Sequence, residues 1–422
     1  MKKISTLTIK TIKTIVMVII IVMPWTSLIY GNHDILEIDA AAAILIDAHR
    51  GQIIYEKNSN VKLHISSANK IMTALLAIEN EPRPSEAKVT VSRKAVAVEG
   101  AKSNLQVGDQ YIVEDLIYAV VLTPENDSTN ALAEYIAGDI EPFVDLMNEK
   151  AKDLGMYDTI FANPTGLFHE SQHTTANDMA LLIRYALNNP GFERVFSSRT
   201  WFWKDQDYRM LRNENRLFWS YDGIDGGRIG FNDFNRKTSV TTATRDNMRL
   251  VSIVLDCPDE SLDNDTIKLL DYGFENYKRS VLVSKGQLID RKSIGDEIVD
   301  LISIRDHYYV HPIGNSYLKG SELEFENELA PPITVNQEVG IARYILDDDT
   351  VIEVKLYPSE NVYSAVSFFS SLVEKMTQYR EITILLIILI AIEIVLLIYK
   401  LIKMTIYIFN KILFKFKNSY KT

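Results

Sequence analysis

The sequence predicts an α+β domain, then a small all-β domain, then a C-terminal membrane helix. Three observations carry that prediction. Within residues 38–278, strand-like apolar runs lie at both ends and helical periodicity lies between them. Short alternating runs separated by turn residues fill residues 280–360. A stretch built almost wholly of Ile, Leu, Val and Ala occupies residues 382–399.

The first domain opens with an apolar run at 41–47, a charged turn at His49-Arg50-Gly51 and a second run at 52–55, which together predict a β-hairpin. Residues 68–79 carry Ile71, Met72, Leu75, Leu76 and Ile78 at the spacing of one buried helical face. Helices are predicted over 113–121 and 128–137, separated by Thr-Pro-Glu-Asn-Asp. Another covers 143–154 and stops at Gly155; a further one covers 176–187 and stops at Asn-Pro and Gly191. Residues 238–244 and 248–255 read as a strand pair around Arg245-Asp246-Asn247. The first and last strands are expected to pair within one sheet. In the all-β domain, strands are expected at 280–283, 297–302, 308–311, 333–336, 340–346 and 351–357.

The two ends speak of export and anchoring. Lys2, Lys3, Lys10 and Lys13 precede an apolar run at 14–30, the layout of a secretory signal or an N-terminal anchor over residues 1–31. After a juxtamembrane segment at 361–380, residues 381–403 are long enough to cross a bilayer, with Glu393 as the one charge in the run 382–399. Lysines at 400, 403, 411, 415, 417 and 421 follow the apolar run, and residues 404–422 are expected to form a basic tail. Positive charge stays on the cytoplasmic side, so the tail is expected inside and the domains before Arg380 outside the cytoplasm.

Composition narrows the function classes. A net charge of -11 argues against non-specific nucleic-acid binding. The single cysteine, Cys257, permits no intrachain disulfide and no cysteine-based zinc site; it ends an apolar run and reads as a core residue. The seven histidines show no HExxH spacing, so neither metal nor cofactor is expected.

The chemistry-bearing signal is Ser67-Ala68-Asn69-Lys70 at the start of a helix. Positions i and i+3 share a helix face, so Lys70 can reach Ser67. A serine hydroxyl needs a neighbouring base, and lysine serves when desolvation and nearby positive charge keep it neutral. Backbone N–H groups at the helix start can stabilise an oxyanion. On its own this spacing is common, and a capping serine with an exposed lysine is the bland reading.

Longer stretches change the weighting. Residues 42–77 read AAILIDAHRGQIIYEKNSNVKLHISSANKIMTALLA, and residues 147–167 read MNEKAKDLGMYDTIFANPTGL. His173-Thr174-Thr175-Ala176-Asn177-Asp178 and Asn213-Glu214-Asn215-Arg216-Leu217 follow in order. Over residues 38–257 this resembles the serine D-alanyl-D-alanine carboxypeptidases, the low-molecular-mass penicillin-binding proteins. The resemblance implies the penicillin-binding and β-lactamase-like transpeptidase fold, an antiparallel sheet with helices. It implies that Ser67 is the nucleophile and Lys70 its base. It implies that the N–H groups of Ser67 and Phe231 form an oxyanion hole. It also implies a peptidoglycan stem peptide ending in D-Ala-D-Ala as substrate, and β-lactams as inhibitors.

Two departures from the family pattern stand out. In the Ser-x-Asn motif, Asn126 is kept but Pro124 replaces the serine and offers no hydroxyl to carry a proton. Thr123 and Ser128 are out of register. In the Lys-Thr-Gly motif the chain reads Arg228-Ile229-Gly230. Arg228 keeps a positive charge for the substrate carboxylate, whereas Ile229 loses a hydroxyl. Lys237-Thr238 falls in the next strand and reads as surface. Arg249 resembles a family arginine of the carboxylate pocket, with an exposed strand position as its other reading. The expected site is therefore Ser67, Lys70 and Asn126, with Arg228, Gly230, Phe231 and Arg249 on the substrate. The alternative is a catalytically impaired relative with a binding or regulatory role at the membrane.

Overall fold

The computed structural model describes residues 36–64, 66–204, 206, 209–231, 236–295, 297–314, 317–325, 329–363, 373 and 375–419, the side chains of Ser67 and of residues beyond 408 excepted. The expected signal segment and much of 361–380 lie outside the described residues. The chain forms two compact units, Met1–Arg279 with Val310–Asn315, and Ser280–Tyr309 with Ser316–Thr422.

In the first unit a hairpin of β1 (Ala42–Asp47) and β2 (Ile53–Lys57) turns where the Arg50 N–H donates to Asp47 Oδ2 at 2.7 Å. Seven principal helices follow or flank it: α1 (Asn69–Asn80), α2 (Val113–Leu122), α3 (Asn126–Ala137), α4 (Ile140–Asp153), α5 (Ala176–Leu187), α6 (Pro190–Phe196) and α7 (Asp259–Asn276). Strands β3 (Ile224–Phe231), β4 (Arg236–Arg245) and β5 (Met248–Pro258) complete a five-stranded antiparallel sheet in the order β2-β1-β5-β4-β3. The first strand thus pairs with the last, Ala42 opposite Leu255 and Asp47 opposite Leu250.

Strand periodicity sends alternate side chains to opposite faces. Ile44 and Ile46 join the core under α1, α2 and α5; Ala43 and Leu45 join a second core beneath α7. Strand β1 is covered on both faces, which is why residues 42–46 read as an unbroken apolar run. Helix α1 departs from expectation. Residues 69–77 are buried all round rather than along one stripe, because neighbours surround it on every side.

Two of these seven helices were not expected from the sequence. Helix α6 starts where a stop was expected: Pro190 sits in its first turn, and Asn189 Oδ1 accepts from the N–H groups of Gly191 and Phe192. Helix α7 buries Asp265 and Thr266 together with Leu262, Leu269, Leu270 and Gly273, so polar residues break its apolar stripe.

The second unit is all-β. Strands β6 (Leu288–Ile294), β7 (Glu297–Ile302), β8 (Leu318–Phe325), β9 (Gly340–Leu346) and β10 (Val351–Pro358) form a five-stranded sheet in the order β6-β7-β10-β9-β8. Its core includes Val299, Leu301, Ala342, Ile352, Val354 and Leu356. The edge strands β6 and β8 were not anticipated; nearly all of β8 is solvent-exposed, so no alternation marks it. Residue Ile333, expected within a strand, makes only an isolated bridge to Val362. A helix, α8 (Arg380–Ser419), ends the described residues, and within its segment Arg380–Ile408 an 18-residue stretch has a mean hydropathy of 3.1, long and apolar enough to cross a bilayer. It runs past the expected end at 403, since the residues after Lys400 are still good helix formers.

Candidate active site

The site is organised around the start of α1. Ser66, Ser67 and Ala68 form a 3-10 turn that runs straight into the helix and packs against β3 and β4. Ser66 adopts φ +43°, a left-handed conformation uncommon outside glycine, just ahead of the expected nucleophile. In a 3-10 turn positions i and i+3 eclipse, which keeps residues 67 and 70 on one side. The side chain of Ser67 itself is outside the described set.

Lys70 is 1% exposed. Its ammonium nitrogen donates to Asn126 Oδ1 and to the carbonyl of Thr165, both at 2.7 Å. Burial drives its pKa well below the ordinary lysine value, and the nearby Arg228 charge pushes the same way; Glu125 and Glu214 oppose. A lysine so placed yields a neutral amine far more readily than one in water, as a general base requires.

Asn126 is held from both ends of its amide. Its Oδ1 receives Lys70, and its Nδ2 donates to the Glu99 carbonyl at 2.8 Å. Gly100 allows this close approach: its φ is +80°, and a Cβ there would lie 2.8 Å from Asn126 Nδ2.

The loop 163–167 is moored to α1 side chain by side chain. Asn69 Nδ2 donates to the Asn163 carbonyl at 2.8 Å, and Thr73 Oγ1 donates to the Pro164 carbonyl at 2.9 Å. Asn163 Oδ1 in turn accepts from Thr165 Oγ1 at 2.9 Å and from the Gly166 N–H at 2.7 Å. The polar residues of α1 are therefore buried because they fix this loop, and the loop presents the carbonyl that Lys70 uses.

A cleft of about 370 Å³ opens onto these groups, lined by Lys70, Gly100, Ala101, Pro124, Asn126, Thr165, Gly166, Leu167, Glu214 and Phe231. Lys70, Asn126 and Phe231 of the expected set thus meet in one place. Gly230 lies beside Phe231 on the edge strand, buried.

Three expectations need correction. Arg228 does not line the cleft. It is 2% exposed, and its Nη1 donates to the carbonyls of Val121 at 2.7 Å and Thr123 at 3.2 Å. Those carbonyls lie at the C-terminal end of α2, where helices leave acceptors unfilled and favour a cation. Burial lowers the Arg228 pKa to about 10. Ile229 points the opposite way by strand alternation and joins the core beneath α7. Arg249 is at the other end of the sheet, paired with Glu193 at 2.6 Å and Asp225 at 3.2 Å. Finally, Lys237 is not a plain surface residue: it stands over the Phe231 ring at 4.6 Å and pairs with Asp259. Cys257 is buried, and desolvation raises its thiol pKa, as befits a core residue.

Glu214 lines the cleft, although the sequence assigned it no role. It sits between two asparagines bonded to β3 and β4. Asn213 Nδ2 donates to the Gly227 carbonyl at 2.9 Å, and Asn215 Nδ2 donates to Thr241 Oγ1 at 2.8 Å. Glu214 turns instead to the cleft, its N–H bonded to the Leu122 carbonyl at 3.2 Å. Burial raises its carboxyl pKa. A carboxylate between two buried asparagines was the available signal.

Residues 30–259 match the family model of D-alanyl-D-alanine carboxypeptidase, and residues 277–364 match that of the penicillin-binding protein 5 C-terminal domain. The D-alanyl-D-alanine carboxypeptidase DacC of Escherichia coli is 32% identical over 77% of this chain and 84% of its own length. DacF of Bacillus subtilis, likewise named a D-alanyl-D-alanine carboxypeptidase, is 27% identical over 81% of this chain and 91% of its own. Among solved structures, penicillin binding protein 5 from Haemophilus influenzae superposes with a TM-score of 0.65 at 26% identity, covering 78% of this chain and 98% of that one.

Proposed function

The chain belongs to the D-alanyl-D-alanine carboxypeptidase family, and from that premise we infer that it is a serine-type carboxypeptidase that trims peptidoglycan stem peptides ending in D-Ala-D-Ala. The observation that supports this reading most is the state of Lys70: buried, depressed in pKa, and held by Asn126 and the Thr165 carbonyl on the wall of an open cleft. Ser67 attacks the terminal peptide carbonyl, and Lys70 takes its proton. The N–H groups of Ser67 and Phe231 receive the oxyanion. The departing D-alanine leaves an acyl-serine, which water hydrolyses. β-Lactams acylate the same serine. The binding-only alternative finds no support in the curated relatives, which are named as carboxypeptidases.

The apolar helix Arg380–Ser419 supports reading the protein as membrane-anchored, and the lysines that follow its apolar part favour a catalytic unit outside the cytoplasm.

Purified protein should release D-alanine from a pentapeptide ending in D-Ala-D-Ala and should bind labelled penicillin covalently. Both signals should vanish in Ser67→Ala. Folded protein that takes no label at high dose and frees no D-alanine would refute the assignment.

A further inference from the structure

The cleft is short of a proton carrier. Pro124 stands where the family pattern has a serine, and neither neighbouring hydroxyl makes up the loss. Thr123 Oγ1 donates to the Ala119 carbonyl at 2.7 Å, back along its own helix, and Ser128 Oγ is bonded to Ser103 Oγ at 2.7 Å. Neither residue lines the cleft. Among the described side chains that do line it, only Lys70, Thr165 and Glu214 carry a transferable proton. Lys70 has its role as base, and the Thr165 hydroxyl is committed to Asn163. Glu214 remains, and its Oε2 is shut off from solvent with no hydrogen-bond partner among the described residues.

Resting on the reading above, we propose that Glu214 is the general acid that protonates the departing D-alanine amine. In acylation the Ser67 oxygen bonds to the carbonyl carbon and its proton passes to Lys70. As the C–N bond breaks, the Glu214 O–H bond breaks and its proton goes to the leaving nitrogen. The ammonium of Lys70 then returns a proton to the Glu214 carboxylate across the cleft the two share. Both groups are restored, and no further reactant is needed. Burial favours the protonated carboxyl this step requires, and Glu125 pushes the same way; Arg228, Lys237 and Lys70 act against them. Those charges come from β3, β4, α1 and the residue ahead of α3. Pro124 and Glu214 thus belong together: the hydroxyl relay is absent, and a carboxyl takes its place.

The test is D-alanine release from a diacylated L-Lys-D-Ala-D-Ala peptide by the full-length protein in detergent. Glu214→Gln should lower kcat by about 10²-fold, the usual scale for a lost general acid, with little change in KM. It should also erase the alkaline limb of the pH profile, which falls as Glu214 loses its proton. Adding Pro124→Ser to Glu214→Gln should restore much of the lost rate. Pro124→Ser alone should weaken the alkaline limb, and that variant tests the idea even if Glu214→Gln folds poorly. Unchanged kcat and pH profile in Glu214→Gln, or an unmoved limb in Pro124→Ser, would overturn the inference while Ser67-dependent turnover in the wild type upheld the carboxypeptidase reading. A wild-type protein that releases no D-alanine would overturn both.

Discussion

Arg228 shows how a single side chain can leave a motif's role without leaving the site's electrostatics. Its Nη1 is bonded to the Val121 and Thr123 carbonyls, and the residue is not among those lining the cleft. Its charge still reaches Lys70 and is the second cause, after burial, of that lysine's lowered pKa. The sign follows directly: a cation beside an amine disfavours the protonated form, so the amine stays neutral to lower pH. Activity should therefore fall as acid protonates Lys70. In Arg228→Gln that acid limb should move to higher pH, and the protein should lose about 1.5–3 kcal/mol for each charged hydrogen bond removed. A limb that stays in place while the melting temperature drops would mean that Arg228 is purely structural. Lys70 and Asn126 were legible because spacing and motif named them together. The inward turn of Arg228 was not, since it depends on where the end of α2 falls relative to β3, a relation no local pattern records.

At the level of elements, the strands and helices with clean periodicity were legible almost to the residue: α5 spans Ala176–Leu187 as expected, and β4 and β5 meet at the expected turn. Helix α7 was hidden because its buried face carries a carboxylate. Asp265 Oδ2 accepts from the N–H groups of Asp39 at 2.8 Å and Ala40 at 2.9 Å, and the Cys257 thiol approaches it at 3.4 Å. The carboxylate thus does for the segment entering β1 what another strand would do: it fills backbone donors that have left water. Asp265→Ala should orphan both N–H groups at about 1–3 kcal/mol each, a loss visible as a lower denaturant midpoint. Asp265→Asn keeps an acceptor oxygen and should lose less. Equal midpoints in wild type and Asp265→Ala would show that the two N–H groups find other partners. The edge strands β6 and β8 were missed for the reverse reason: an exposed edge has no buried face to impose alternation.

For the whole molecule, the proposed function requires the cleft to reach a polymer outside the cell, and the C-terminal helix bears on that directly. At about 1.5 Å per residue, its 40 residues extend roughly 60 Å, twice the ~30 Å of a bilayer's hydrocarbon. The apolar part up to about Tyr399 is long enough to fill a membrane, and the helix beyond carries Lys400, Lys403, Lys411, Lys415 and Lys417. Lysines at that density are drawn to the anionic cytoplasmic leaflet at about 1 kcal/mol each near the surface. The orientation can be read with thiol chemistry, because the one native thiol, Cys257, is buried. In intact cells a membrane-impermeant maleimide should label Glu360→Cys, an exposed position ahead of the helix. It should label Ser419→Cys only after permeabilisation. Labelling of Ser419→Cys in intact cells would put the tail outside and the catalytic unit on the wrong side of the membrane for its polymer. Replacing the five helix lysines with glutamine should weaken the bias toward this orientation without touching turnover in detergent, separating where the enzyme sits from what its cleft can do.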